Sequence, residues 1–257
     1  MNKEHVMSKM TKFGVLRVRN EDSSPLVLNA MKESEKEKLT LTARAPKKKD
    51  RSLTEQAADA LHTDEEGWPC MTRDMILAML FNAGLGFQYR GRENVSSKGT
   101  GGSKVESKLN NFMRIFGDNI RLYDPVTGGP AQWQAKVDVV TQSSGSGGAP
   151  SVRPYFYAWE AWILFKFDPQ EATAELIIGL FDKAGTGVGV GSKRKFCCGR
   201  FEIIESKLFD DEASLMRFIE EQIAKKAAPP ASVSRSSVSR SQPQDDSAPK
   251  TRTVQMR

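Results

Sequence analysis

Apolar residues fall along this chain in two rhythms, and the changes between them mark its elements. Phe13 to Arg19 (FGVLRVR) alternates with period two. That predicts a strand, because successive side chains of an extended chain point to opposite faces. Ser52 opens SLTEQAADALH with Glu55 three residues on. Such a pair can satisfy two amides that a helix start leaves unbonded, so a capped helix is predicted. Thr72 stands in the same way before MILAMLFNAG, a more apolar helix ended by Gly84. Val105, Leu109, Phe112, Met113 and Phe116 are spaced as one helical stripe over 104–116. Ile120 to Tyr123 and Trp133 to Val140 predict strands on either side of an Asp124-Pro125…Gly128-Gly129 turn.

Residues 152–167, VRPYFYAWEAWILFKF, are the most aromatic part, and their later half reads as a central strand. Asp168-Pro169 predicts a helix start, proline being suited to a first turn, with the helix running through Leu176, Ile177, Leu180 and Phe181. A glycine-rich loop follows, then a strand at Arg200 to Glu205. Leu215, Phe218, Ile219 and Ile223 share a stripe on a final helix, from Asp210-Asp211-Glu212 to about Lys226. Its acids come first and its lysines last, as the helix dipole favours. Strand, helix, glycine-rich loop and strand form the return half of a split βαβ unit. The expected class is therefore α+β, a ferredoxin-like or RRM-like sheet with packed helices.

The polar stretches set the expected limits: a flexible 1–12, one α+β domain over 13–226, a mobile charged segment at 32–52, and loops at 91–104 and 142–151. The tail 227–257, rich in Ser, Pro and Arg, has too little apolar surface to offset its ordering entropy and is expected to be disordered. A hydrophobic share of 39% and a mean hydropathy of −0.48 agree with part of the 257 residues lying outside a core.

No run of eighteen apolar residues is present and the N-terminus lacks an apolar signal region, so no membrane span is expected. Three cysteines, two of them adjacent (Cys197, Cys198), do not make a disulfide framework, and a cytoplasmic location is expected. The net charge of +6, with a pI near 9.2, leans toward a polyanionic partner. It is concentrated in two places. The tail holds five basic residues against two acids, and Lys183 to Arg200 holds five basic residues and no acid.

The two histidines, His5 and His62, sit in polar sequence, and no HExxH, CxxC, GxSxG or Walker pattern occurs. An enzyme is the minority expectation, and no cofactor or metal is expected. Asp64, Glu65 and Glu66 read as a solvated turn. Basic neighbours could lower a thiol pKa at Cys197 or Cys198, yet no base stands near them in sequence.

The segment with most chemical content is GTGVGVGSKRKFCCGR, residues 185–200. Gly185, Gly187, Gly189 and Gly191 allow positive φ and exposed amides, and Lys193, Arg194 and Lys195 follow at once. Amides and cations presented together suit a phosphate backbone. Equally, the loop could be a tight packing element with solvated lysines. It neither follows a strand nor opens a helix, so it is no dinucleotide fingerprint. Arg153 leads the aromatics Tyr155, Phe156, Tyr157 and Trp159, which could stack on bases or fill a core.

Four segments resemble an uncharacterised bacteriophage protein family. Ser24 to Met31, within SSPLVLNAM, is similar to its S-P-L-L segment. DEEGWPCMTRDMILAML (64–80) is similar to its acidic turn, proline and helix. VRPYFYAWEAWILFKFDP (152–169) is similar to its R-P-x-F-x-x-W strand. AGTGVGVGSKRKFCCGRFEI (184–203) is similar to its A-G-x-x-V-G-x-G loop closing in G-R-F-E. The match spans about 13–206 and departs where the family has Arg-Pro and this chain has Lys193-Arg194-Lys195. The last segment also resembles the glycine-rich loop of RAMP proteins, the RNA-binding subunits of CRISPR effectors. That likeness covers about twenty residues. It implies an RRM-like core and single-stranded nucleic acid as partner.

The expected function is non-catalytic binding of single-stranded RNA or DNA through Gly187, Gly189, Gly191, Lys193, Arg194, Lys195, Arg200 and Arg153. The alternative is a phage protein acting through protein partners, an inhibitor of a host defence complex or an assembly subunit, with Trp159 or Trp162 at an interface. An endoribonuclease would have His62 as its candidate base.

Overall fold

Strand β1 (Lys12–Asn20) is an interior strand of the main sheet in the structure, a computed structural model that describes residues 11–30, 51–91, 93–99, 105–141 and 148–227. It pairs antiparallel with β12 (Glu160–Phe167) on one side and β13 (Phe201–Phe209) on the other. The sheet continues from β12 through β9 (Asn119–Tyr123) to β3 (Cys70–Thr72), in the order β13-β1-β12-β9-β3, with β8 (Met113–Ile115) also pairing β12. Alternation sorts the two faces. Leu16, Val18, Ile163 and Phe165 enter the main core, whereas Val15 and Trp162 lie on the opposite face. Gly14 stands directly opposite Phe165, and a Cβ there would run into the ring, so the glycine lets the phenylalanine lie flat over the strand. Full burial of a side chain of this size stabilises by about 2–3 kcal/mol.

Helices α2 (Arg73–Gly84) and α4 (Ala174–Lys183) cover the core face with Ile76, Met79, Leu80, Ile177, Leu180 and Phe181. Each starts on a threonine, Thr72 and Thr173, whose hydroxyl accepts an amide hydrogen bond in the first turn. Helix α5 (Glu212–Ala227) packs Leu215, Phe218 and Ile219 over Phe13, Val15 and Trp162 on the other face. Between β9 and β12 the chain leaves the main sheet as a hairpin, β10 (Gln134–Thr141) and β11 (Gly148–Phe156), which forms a second antiparallel sheet with β2 (Leu26–Val27). Asn20 fixes the corner between β11 and β12, donating to the Tyr157 carbonyl at 3.0 Å and accepting from the Trp159 amide at 2.9 Å. Helix α1 (Leu53–Ala58) packs on β10 and β11 and carries the expected capping box of Ser52 and Glu55. Two small ribbons, β4 (Gln88–Tyr89) with β5 (Glu93–Asn94) and β6 (Ser96–Lys98) with β7 (Val105–Ser107), complete a mixed fold built on antiparallel sheets. Among the described residues no helix is long and apolar enough to cross a membrane.

Several expectations are corrected. Residues 104–116 are not one helix: β7 is followed by a single turn, α3 (Leu109–Phe112), and by β8. Pairing of Ile115 with Phe165 overrides the helical spacing. The loop 91–104 contains β5 and β6, and the loop 142–151 gives way to β11 at Gly148. Helix α4 begins after Thr173, because Asp168 accepts the Gln170 amide in a turn of its own. Trp159 (0% exposed) and Trp162 (7%) are core residues and offer no surface to a partner. The N-terminal stretch to residue 10, most of 32–52 and the tail from 228 lie outside the described residues.

Candidate nucleic-acid interface

The glycine-rich segment connects α4 to β13 and docks on the edge of β2. A π-helical turn, Ala184–Val188, prolongs α4, and the Gly189 amide closes it by donating to the Ala184 carbonyl at 2.8 Å. The alternation of valine and glycine then has a steric meaning. Val190 is fully buried, and its flanking glycines lie against backbone. Gly191 has φ of 78°, and a Cβ there would sit 2.7 Å from the Val27 carbonyl oxygen. Three further amides are used internally. Val190 donates to Gly199 at 2.8 Å, Ser192 to Val27 at 2.8 Å, and Gly199 to Pro25 at 2.9 Å. Ser24 clasps the far end, donating from its hydroxyl to the Cys197 carbonyl at 2.6 Å and accepting the Arg200 amide at 2.8 Å. The expectation of a cradle of free amides is therefore corrected at Gly189, Val190, Ser192 and Gly199, whose N–H groups hold the loop to the protein.

The loop's cations divide. Lys193, in the left-handed region at φ of 60°, reaches across to the hairpin, where its Nζ lies 2.5 Å from Asp138 Oδ1 and 3.0 Å from the Tyr155 hydroxyl. The Tyr155 hydroxyl donates to Asp138 at 2.7 Å. Burial alone would lower the lysine pKa, but these hydrogen bonds outweigh it and raise it above the ordinary value. Burial also raises Tyr155, chiefly by desolvation, so both groups keep their protons. Lys193 is thus a strut. Arg194 and Lys195, on a short 3-10 turn with Phe196, meet no carboxylate among the described residues. Phe196 is 76% exposed. Cys198 is buried beside Val27 and Tyr155, and burial raises its thiol pKa, despite the basic neighbours that could have lowered it.

Register places Arg153 and Lys136 opposite each other, on the same face of the hairpin as Tyr155 and Asp138. Lys136 Nζ lies over the Tyr155 ring, 5.2 Å from its centroid, and Tyr157, 48% exposed, stacks beside that ring. Among the described residues, Nε of Arg153 and Nε of Arg200 are buried without a hydrogen-bond partner. Arg200 sits where the loop enters β13, its carbonyl accepting from the Glu21 amide. The structure thus brings Lys193 together with Lys136, which the sequence did not single out, at the Tyr155 ring, while Arg194 and Lys195 follow Lys193 on the loop. Gly187 lies in the π-helical turn, where a Cβ would meet nothing within 4 Å. Lys136 standing two residues before Asp138 on an alternating strand, and so on the same face, was the available signal.

No protein-family model matches the chain, and no curated protein matches it. Among solved structures it is similar to a chain of the cryo-EM structure of the Type III-B Cmr-beta bound to cognate target RNA, with a TM-score of 0.39 and 9% identity. That similarity covers 78% of this chain and 61% of that one, so this chain matches about three fifths of its length. Among the described residues no group of three or more His, Cys, Asp or Glu side chains is placed to hold a metal.

Proposed function

We propose that this protein binds single-stranded nucleic acid, RNA or DNA, without catalysis, on the face formed by the loop 189–200 and the β10–β11 hairpin. The observation that carries the reading is a charge imbalance. Of Lys136, Arg153, Lys193, Arg194, Lys195 and Arg200, only Lys193 bonds a carboxylate among the described residues. Gly187, Gly189 and Gly191 shape the loop that presents the cations; phosphates are met by Arg194, Lys195, Arg153 and Arg200. Phe196, next in sequence to Lys195, and Tyr157, stacked on Tyr155, are exposed rings of the kind that stacking on unpaired bases requires. A ferredoxin-like core is supported by the order β13-β1-β12-β9 with α2 and α4 on one face. A phage source, and with it the host cytoplasm, rests on the four sequence segments named above.

The test is fluorescence-anisotropy binding of labelled single-stranded RNA and DNA across a salt series. Arg194→Ala with Lys195→Ala is expected to weaken both and to reduce the log–log salt slope by about 1–2. Phe196→Ala is expected to cost about 1–3 kcal/mol at every salt concentration. Binding without salt dependence, or unchanged in the double variant, overturns the reading.

A further inference from the structure

At the opposite end of β1 from the glycine-rich loop, two cations stand side by side. Lys166 of β12 and Arg114 of β8 are directly opposite in the antiparallel ladder, so their side chains share a face. Neither bonds a carboxylate among the described residues. Like charges in this position oppose the pairing of their strands. The lysine is also held in place, its Nζ 5.4 Å from the centroid of the Phe116 ring, which stacks on Phe13.

A cavity of about 200 Å³ opens here, lined by both cations, by Thr11, and by Asn110 and Asn111 of the α3 turn. Each of these side chains carries a hydrogen-bond donor. The acid of the lining is Asp168, a buried carboxylate whose Oδ1 accepts the Gln170 amide at 3.0 Å. The cavity is smaller than those that take drug-sized molecules, and it suits a small oxyanion. An oxyanion seated between Arg114 and Lys166 turns their repulsion into charge-assisted hydrogen bonds. Phosphate has oxygens enough to meet a planar guanidinium and an ammonium at once.

We propose that this cavity binds phosphate, free or as the end group of a small phosphorylated molecule, through Arg114 and Lys166. Lys12 of β1 faces Phe167 beside the cavity, and Asn20 faces Phe201 beside the loop. The nine residues between and including them span about 26 Å, so the inference does not depend on nucleic-acid binding.

Isothermal titration calorimetry of the full chain tests it, with inorganic phosphate, glycerol 3-phosphate, and sodium chloride at equal ionic strength. Wild type is expected to bind phosphate saturably, and the Arg194→Ala, Lys195→Ala loop variant to bind it equally well. Arg114→Gln and Lys166→Met are each expected to weaken binding at least about tenfold. Arg114→Gln also ends the like-charge repulsion. Without phosphate its unfolding midpoint is therefore expected to rise by about 1–3 °C, where loss of a merely structural arginine would lower it. Circular dichroism checks that each variant folds. Tighter binding of glycerol 3-phosphate supports an esterified ligand, and equal binding supports free phosphate. No saturable binding by wild type, the same heat from chloride, or binding that survives both cavity substitutions overturns the proposal. Binding lost in the loop variant instead overturns it too, and moves the phosphate to the nucleic-acid face.

Discussion

Two regions of this molecule are rich in cations, and they differ in what answers the charge. On β1, Arg17 and Arg19 both grip Glu160 of β12: Arg17 Nη2 lies 2.7 Å from one carboxylate oxygen and Arg19 Nη2 2.5 Å from the other. Glu160 is fully buried, and Arg17 also lies over the Trp162 ring, 5.4 Å from its centroid. At the loop, one carboxylate, Asp138, answers Lys193, and the other cations of the loop and hairpin bond no carboxylate among the described residues. The first arrangement is closed and structural. The second leaves charge to be neutralised from outside. A basic residue therefore points to a polyanion only once the carboxylates that reach it have been counted.

The sharpest way to break this contrast is Glu160→Gln, which leaves two arginines facing a buried amide. Partial exposure of the arginines moderates the loss, which is expected at about 2–3 kcal/mol of global stability by urea denaturation. Nucleic-acid binding per folded molecule should be unchanged. Next in size is Gly199→Ala. At φ of 73°, its Cβ would press on the Val190 carbonyl, so the loop must shift, at about 2 kcal/mol. Binding should weaken with no charge removed, which shows that loop shape presents the cations.

A smaller effect belongs to pH. The folded pKa values of Lys193 and Tyr155 are raised, so the stability their protons confer is whole below the ordinary lysine and tyrosine values. It is lost as pH rises through the higher folded values. Stability is therefore expected to fall on the alkaline side, above about pH 10, and less so in Lys193→Met. Smallest of all, Gly187→Ala is expected to change stability by less than about 0.5 kcal/mol, because its Cβ meets nothing and its φ is not positive.

Elements whose signals are local were legible in the sequence. The caps at Ser52 and Thr72 and the alternation of β1 needed only their own neighbours. The segment 104–116 was not legible, because its apolar spacing serves a strand that β12 selects from fifty residues away. The site shows the same division. The loop was visible as a cluster of glycines and cations, but the bonds that consume its amides come from Pro25 and Val27, far off in sequence. The Lys193–Asp138–Tyr155 strut joins three segments and had no linear trace. Glu160 left a clue: a lone acid in an aromatic central strand must find a cation, and Arg17 and Arg19 alternate on a strand of matching length.

The position of β1 also bears on how the chain is made. Its two neighbours are β12 and β13, so Phe13 meets Lys166 on one side and Phe209 on the other. During synthesis this interior strand emerges before both of its neighbours and waits for partners that come off the ribosome more than a hundred residues later. Until they do, its apolar face and both of its edges stay open to wrong partners. Pairings so distant in sequence also make folding slow. The nascent protein should therefore depend on chaperones until residue 209 has been released, and chains stopped short of that point should aggregate.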